Sequence, residues 1–244
     1  MQRTCWMTTL PVLSLLLLLN DSFCNDTPFV INRITNRIEF SELLLGYNYN
    51  YAANRNVEVM ISFIIRHVLI HRDTISLSCE IFQKWRDSRL KYSGIKSITV
   101  NSKNIEIWKP DTSFLDTTIM YSAESLRLYS NGIVCWKQRV ILTFPCASSD
   151  FVFKQSDLST LDCSLIIGSF DNSGAESIIY RVSDIMLPSN LNRSYANLMM
   201  NYTITTFEDV APNGESMIQT VIHFLIESDL IVRFSNETNF NRIV

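Results

Sequence analysis

From Val57 to Ile226 the hydrophobic positions recur mostly every second residue. Val57, Val59, Ile61 and Phe63 alternate with Glu58, Met60 and Ser62, the period that turns one face of a strand toward a core. Thr74–Tyr92 is a longer run with Ile75, Leu77, Cys79 and Ile81 on one face. Leu126–Tyr129, then Ser130-Asn131-Gly132, then Ile133–Phe144 reads as a hairpin closed by an Asn-Gly turn. Ser177–Val182, Asn197–Phe207 and Met217–Ile226 predict further strands. A short N-terminal helix is predicted within Ile31–Tyr47, where Ile34, Ile38, Leu44 and Leu45 recur at about helical spacing. The polar stretch Asn48–Asn56 then predicts a loop. There is no internal repeat and no alternation of strand and helix, so the pattern predicts an all-β fold, an antiparallel β-sandwich of one domain.

The N-terminus carries a different signal. Arg3 precedes the uncharged run Leu10–Leu19, and Ser22-Phe23-Cys24 places small residues before a cut at Asn25. This predicts a secretory signal peptide over residues 1–24 and a mature domain over 25–244, because a spanning helix needs about 20 apolar residues. Later apolar stretches are interrupted by charge, Val57–Ile70 by Glu58 and Arg66, Val221–Phe234 by Glu227, Asp229 and Arg233. Four N-x-[ST] sites in the mature segment, at Asn25, Asn192, Asn201 and Asn236, fit an exported glycoprotein whose sequons face water.

Composition narrows the function. Of 244 residues 47% are hydrophobic and 18% charged, which is enough apolar surface for a packed core and excludes a disordered chain. A net charge of −3 excludes a strongly basic nucleic-acid binder. No G-x-S-x-G, P-loop or H-E-x-x-H motif is present, so an enzyme is not expected. His67 and His71 fall in a strand pattern, with His223 remote in sequence, and there is no C-x-x-C, so neither a metal nor another cofactor is expected.

Four segments carry a more specific message. The first is Trp85-Arg-Asp87-Ser-Arg89-Leu90-Lys-Tyr92. The second is Trp108-Lys-Pro110-Asp111-Thr-Ser-Phe114-Leu115. The third is Arg127-Leu-Tyr-Ser-Asn-Gly132-Ile-Val-Cys-Trp136, and the fourth is Cys146…Cys163 followed by Gly168-Ser169-Phe170. On the residues alone, Trp85 is a large indole suited to anchor a core. Asp87 and Arg89 stand two apart, close enough to pair on one strand face. Pro110 ends a strand, and Asp111 is suited to bond backbone N–H groups in the turn that follows.

In order and spacing these segments resemble the extracellular domain of Cys-loop (pentameric) ligand-gated ion channels, especially the anion-selective members. The resemblance runs from about Ile31 to Phe234 and implies a sandwich of immunoglobulin-like topology. An immunoglobulin adhesion module is itself a poor fit, since Cys79 and Trp85 stand too close. Where the family carries F/Y-P-x-D between the paired cysteines, this chain reads Phe153-Lys-Gln-Ser-Asp157.

The resemblance selects a Cys146–Cys163 disulfide. With Cys5 and Cys24 assigned to the signal peptide, Cys79 and Cys135 form either a second bridge or two buried thiols. The resemblance also implies like or related subunits as partners in a pentamer, with a small-molecule ligand between neighbours. One subunit face would present Ser113 and Leu115 (loop A), Phe170 (loop B) and a loop C near Glu208–Glu215. The other would present Glu80 (loop D) and Arg127 and Cys135 (loop E). Each residue has a plainer reading: Phe170 as core, Arg127 as a solvated strand cation, Glu80 as half of a cross-strand pair, with Arg127 a partner it could satisfy. A cage reduced to Phe170 offers little cation–π attraction for an amine agonist.

Two functions are therefore in view: a secreted binding-protein-like homologue, and a channel subunit or fragment with a vestigial agonist site. The text ends at Asn236–Val244, where a receptor would enter its first membrane helix, and this leads to the expectation of the secreted form.

Overall fold

The computed structural model describes residues 43–71, 73–94, 97–100, 106–148, 159–170, 177–188, 199–210 and 216–228. The signal peptide, residues 31–42 of the predicted N-terminal helix segment, the loop C tip and the sequons at Asn25, Asn192 and Asn236 lie outside them. The strands are β1 (Asn56–Ile70), β2 (Thr74–Arg86), β3 (Ile98–Val100), β4 (Thr112–Leu115), β5 (Thr118–Leu128), β6 (Ile133–Ser148), β7 (Ser159–Ser169), β8 (Ser177–Met186), β9 (Met199–Val210) and β10 (Ser216–Ser228). A single 3₁₀ turn, Ser88–Leu90, follows β2. No helix among the described residues is long and apolar enough to cross a membrane.

The strands form two layers joined through β6. The inner sheet runs β8-β1-β2-β6-β5-β3, and the outer sheet runs β4-β7-β10-β9. Residues Ile133–Pro145 of β6 pair with β2, after which Cys146–Ser148 leave that sheet and pair with β7. The Cys146–Cys163 disulfide sits at this crossing, between directly opposed residues whose Cα atoms are 4.1 Å apart. It locks the two layers together where one strand serves both.

Alternation sets which face is buried. In β2 the residues Ile75, Leu77, Cys79, Ile81 and Trp85 face inward. They meet Val134, Val140, Leu142 and Phe144 of β6, and Leu165, Ile167, Ile222 and Phe224 from the outer sheet. Phe144 and Phe224 bridge the layers with ring centroids 6.0 Å apart. Each such side chain removed from water stabilises the fold by about 1.5–3 kcal/mol before entropy is charged against it.

The predicted hairpin is present. Gly132 N–H donates to Tyr129 O at 2.9 Å and Tyr129 N–H to Ile133 O at 2.8 Å. Gly132 has φ 81°, a left-handed conformation that glycine adopts without a steric cost. A Cβ there would also stand 2.5 Å from the Asp87 carbonyl oxygen.

Two expectations are revised. The sandwich is antiparallel except at one edge, where β8 runs parallel to β1, from Asn56↔Ser177 to Ile64↔Met186. Alternation specifies a strand's faces but not its direction, and β8 comes to this edge from β7 in the other layer. The second revision concerns Asp87 and Arg89. They do pair, but beyond the end of β2, with Asp87 capping the 3₁₀ turn by accepting the Arg89 N–H.

Candidate functional site

The motif around Trp85 builds an anchor rather than a binding surface. Trp85 and Trp108 meet edge to face at 5.9 Å. Asp87 is buried, and its carboxylate accepts from Arg89 Nε at 2.9 Å, Arg89 Nη2 at 2.7 Å and Tyr47 Oη at 2.8 Å. Arg89 also donates to the carbonyls of Asn48 and Tyr51, and its guanidinium lies over the Tyr47 ring at 4.3 Å. Tyr47 Oη accepts the Trp108 N–H, so one hub ties the segment before β1 to both tryptophan motifs. Burial first, and then the Asp87 carboxylate, push the Tyr47 phenol well above its ordinary range, against the lowering effect of the Trp108 amide.

The Trp108 motif builds a second hub, which sets the Phe170 segment. Pro110 is buried just before β4. The Asp111 carboxylate accepts the Ser169 hydroxyl at 2.7 Å and the Tyr180 hydroxyl at 3.5 Å, and its main-chain oxygen accepts the Phe170 N–H at 3.1 Å. Two hydroxyl donors thus hold the Asp111 carboxylate in the turn. Burial, chiefly, raises the Tyr180 phenol.

Pairing of β4 with β7 sets Ser113 opposite Gly168 and Leu115 opposite Ile166, both half-buried. Phe170 follows immediately and is 83% exposed, which overturns its reading as sandwich core. Its backbone is tied to Asp111, which accepts the Phe170 N–H on its main-chain oxygen and the Ser169 hydroxyl on its carboxylate. Ser113, Leu115 and Phe170 are thus gathered at one edge of the outer sheet.

Glu80, Arg127 and Cys135 lie on the outward face of the inner sheet. Glu80 stands opposite Arg139, while Arg127 stands opposite Cys135, which stands opposite Lys84. Glu80 is buried and forms ion pairs with Arg66 and Lys137 at 3.3 Å and Arg139 at 3.1 Å. The cross-strand pair expected of Glu80 is therefore present, with Arg139 directly opposite, while register places Arg127 further along the sheet. Burial alone would raise the Glu80 carboxyl, but the bonds from Arg139, Lys137 and Arg66 outweigh it and hold the group below its ordinary value. Beside it, Phe82 and Cys135 form a small apolar cluster with Ile64 and Tyr129, and the Lys137 ammonium lies 5.3 Å from the Phe82 ring.

Cys79 and Cys135 are not bridged to each other. Cys79 faces the core opposite Val140 as a free buried thiol, which burial and then the Glu80 charge push up to about 12. Cys135 faces the opposite way, on the side of Lys84 and Arg127. Opposite sheet faces exclude the bridge that strand proximity left open.

Alternation alone could have placed Lys137 and Arg139 on one face of β6. Arg66 was beyond such reasoning, because it lies in the β-bulge between Ile65 and His67. The sequon at Asn201 is exposed on β9.

A family model for the neurotransmitter-gated ion-channel ligand binding domain matches residues 39–226, and the chain belongs to that family. It is 23% identical over 210 residues to the gamma-aminobutyric acid receptor subunit pi of Rattus norvegicus, covering 78% of this chain and 48% of the relative. The Bos taurus subunit pi gives the same figures. A gamma-aminobutyric acid receptor alpha-like protein of Drosophila melanogaster is 30% identical over 116 residues, 44% of this chain and 16% of the relative. The chain thus spans about half the length of the subunit pi relatives, and less of the Drosophila protein.

Proposed function

We propose that this chain acts outside the cell as a non-catalytic, receptor-like binding domain that associates with like or related subunits and takes no amine agonist of its own. The observation that carries this reading is the filled Glu80 face. A buried carboxylate that could meet a ligand ammonium already meets Arg66, Lys137 and Arg139. The nearby Phe82 ring is met by Lys137.

Export through the leader at residues 1–24, with glycans at the four sequons, makes it a secreted binding-protein-like homologue. On the other edge Phe170 is exposed and ready to meet a neighbouring chain. Such a heterologous contact, one edge against a different face, closes into a ring if the rotation divides the circle; the proposed ring is a pentamer. Light scattering of the secreted, glycosylated protein should show concentration-dependent assembly above the monomer, weakened by Phe170→Glu. A monomer at every micromolar concentration would contradict the subunit reading.

The second reading, a channel subunit with a vestigial agonist site, is favoured by the likeness to proteins named as receptor subunits. Transcript sequence encoding four apolar stretches of about 20 residues beyond Val244 would decide for it.

A further inference from the structure

Several polar side chains form two hydrogen-bonded groups that cross the sandwich as a relay, joined through the covalent step from Thr112 to Asp111. The relay begins on the core face of the inner sheet, where Gln83 Nε2 donates to Gln138 Oε1 at 3.0 Å. Both residues are buried, at 1% and 5% exposure. The Gln83 side-chain oxygen accepts the hydroxyl of Thr112, which is the first residue of β4 in the opposite sheet. Its neighbour Asp111 takes the Ser169 and Tyr180 hydroxyls on its carboxylate and the Phe170 N–H on its main-chain oxygen. The Tyr180 carbonyl then accepts Thr220 Oγ1 of β10 at 2.7 Å, and Thr220 reaches Thr206 of β9 at 3.4 Å.

We propose that Gln83 and Thr112 are positioning residues for Phe170, holding the Asp111 turn from the inner sheet so that the strands carrying Glu80 and the edge carrying Phe170 are coupled through the interior. The proposal rests on the reading of Phe170 as a contact residue, but the relay exists with or without a ligand. Two amides packed between layers are an expensive choice for a core, since each unpaired polar group there is destabilising. Apolar residues of similar volume would fill the space. What apolar residues cannot do is fix the Thr112 hydroxyl, and with it the Asp111 turn, in one orientation.

The test is amide hydrogen exchange at Phe170 in the ligand-free protein, whose N–H donates directly to Asp111 O. Gln83→Leu and the near-isosteric Thr112→Val should each accelerate Phe170 exchange on the order of ten-fold, the effect of one lost buried hydrogen bond. The double variant should be no faster than the worse single, because both remove the same bond. Val68→Ala, a core truncation elsewhere in β1, should leave Phe170 exchange unchanged. If Gln83→Leu fails to fold, Thr112→Val, which removes the same bond from the other side, carries the test against Val68→Ala. Unchanged Phe170 exchange in both single variants, additive effects in the double, or equal acceleration by Val68→Ala would each overturn the proposal. Because no ligand is present, failure of the binding reading leaves this result standing, and the reverse holds as well.

Discussion

Two buried carboxylates, Glu80 in β2 and Asp87 just past its end, do opposite work. Asp87 is bonded on both oxygens by Arg89 and Tyr47 and lies at the centre of a hub that joins three segments of chain. Its partners are partly buried with it. Glu80 is also buried, but two of its three cations, Arg66 and Arg139, are more than half exposed. The first arrangement fixes the fold; the second fills a surface. Burial of a charge therefore does not tell a structural group from one that occupies a potential binding face. The exposure of its partners does.

Breaking the Asp87 hub should have the largest effect. Asp87→Ala leaves the Arg89 guanidinium and the Tyr47 hydroxyl without their acceptor and should cost about 3–5 kcal/mol, or prevent folding, as removal of one partner of a buried pair does. Urea denaturation measures it, and a loss below about 1 kcal/mol would place Asp87 with the surface pairs. Replacing both Cys146 and Cys163 by serine should cost about 3 kcal/mol, because the bridge restrains the unfolded chain and closes the two layers. In the unmodified protein, peptide mapping should recover Cys146 joined to Cys163 and Cys79 as a thiol. A Cys79–Cys135 bridge would undo the distinction drawn between the two faces of β2 and β6.

Gly132→Ala sharpens the comparison from the hairpin side. The new Cβ meets the Asp87 carbonyl at a backbone whose φ already disfavours alanine, and a loss of about 1–3 kcal/mol is expected by thermal melting. Glu80→Gln should have the smallest effect, about 1 kcal/mol at neutral pH, because two of the cations it releases return to water. Its signature is pH dependence. The Glu80 carboxyl is held below its ordinary value in the folded state, so its contribution is fully present above that value and is lost as pH falls through the folded one. The wild-type protein should therefore lose more stability than Glu80→Gln between about pH 5 and pH 3. Parallel melting curves for the two across that range would show that the three cations do not hold the charge.

The sequence made the layers legible because alternation is imposed residue by residue. Ile75, Leu77, Cys79 and Ile81 face inward as their spacing required, and the Ser130-Asn131-Gly132 turn closes the hairpin. It could not show the direction of β8, since a parallel and an antiparallel neighbour bury the same alternate positions. The site was half legible. Ser113, Leu115 and Phe170 came together because two short motifs meet by strand pairing. Glu80 and Arg127 did not pair, because the hairpin register sets Arg127 opposite Cys135 while Glu80 faces Arg139 further along β6. The relay through Gln83 and Gln138 was invisible, since a polar residue in a strand pattern looks solvent-facing until the opposing layer is in place.

The most direct test of the filled Glu80 face is calorimetric titration of the intact secreted protein with acetylcholine, gamma-aminobutyric acid and glutamate. The account predicts no heat of binding for acetylcholine and weak or absent binding of the two amino acids. Micromolar or tighter acetylcholine binding that is abolished by Phe170→Ala would contradict it, because an aromatic cage would then exist that the occupied rings do not provide.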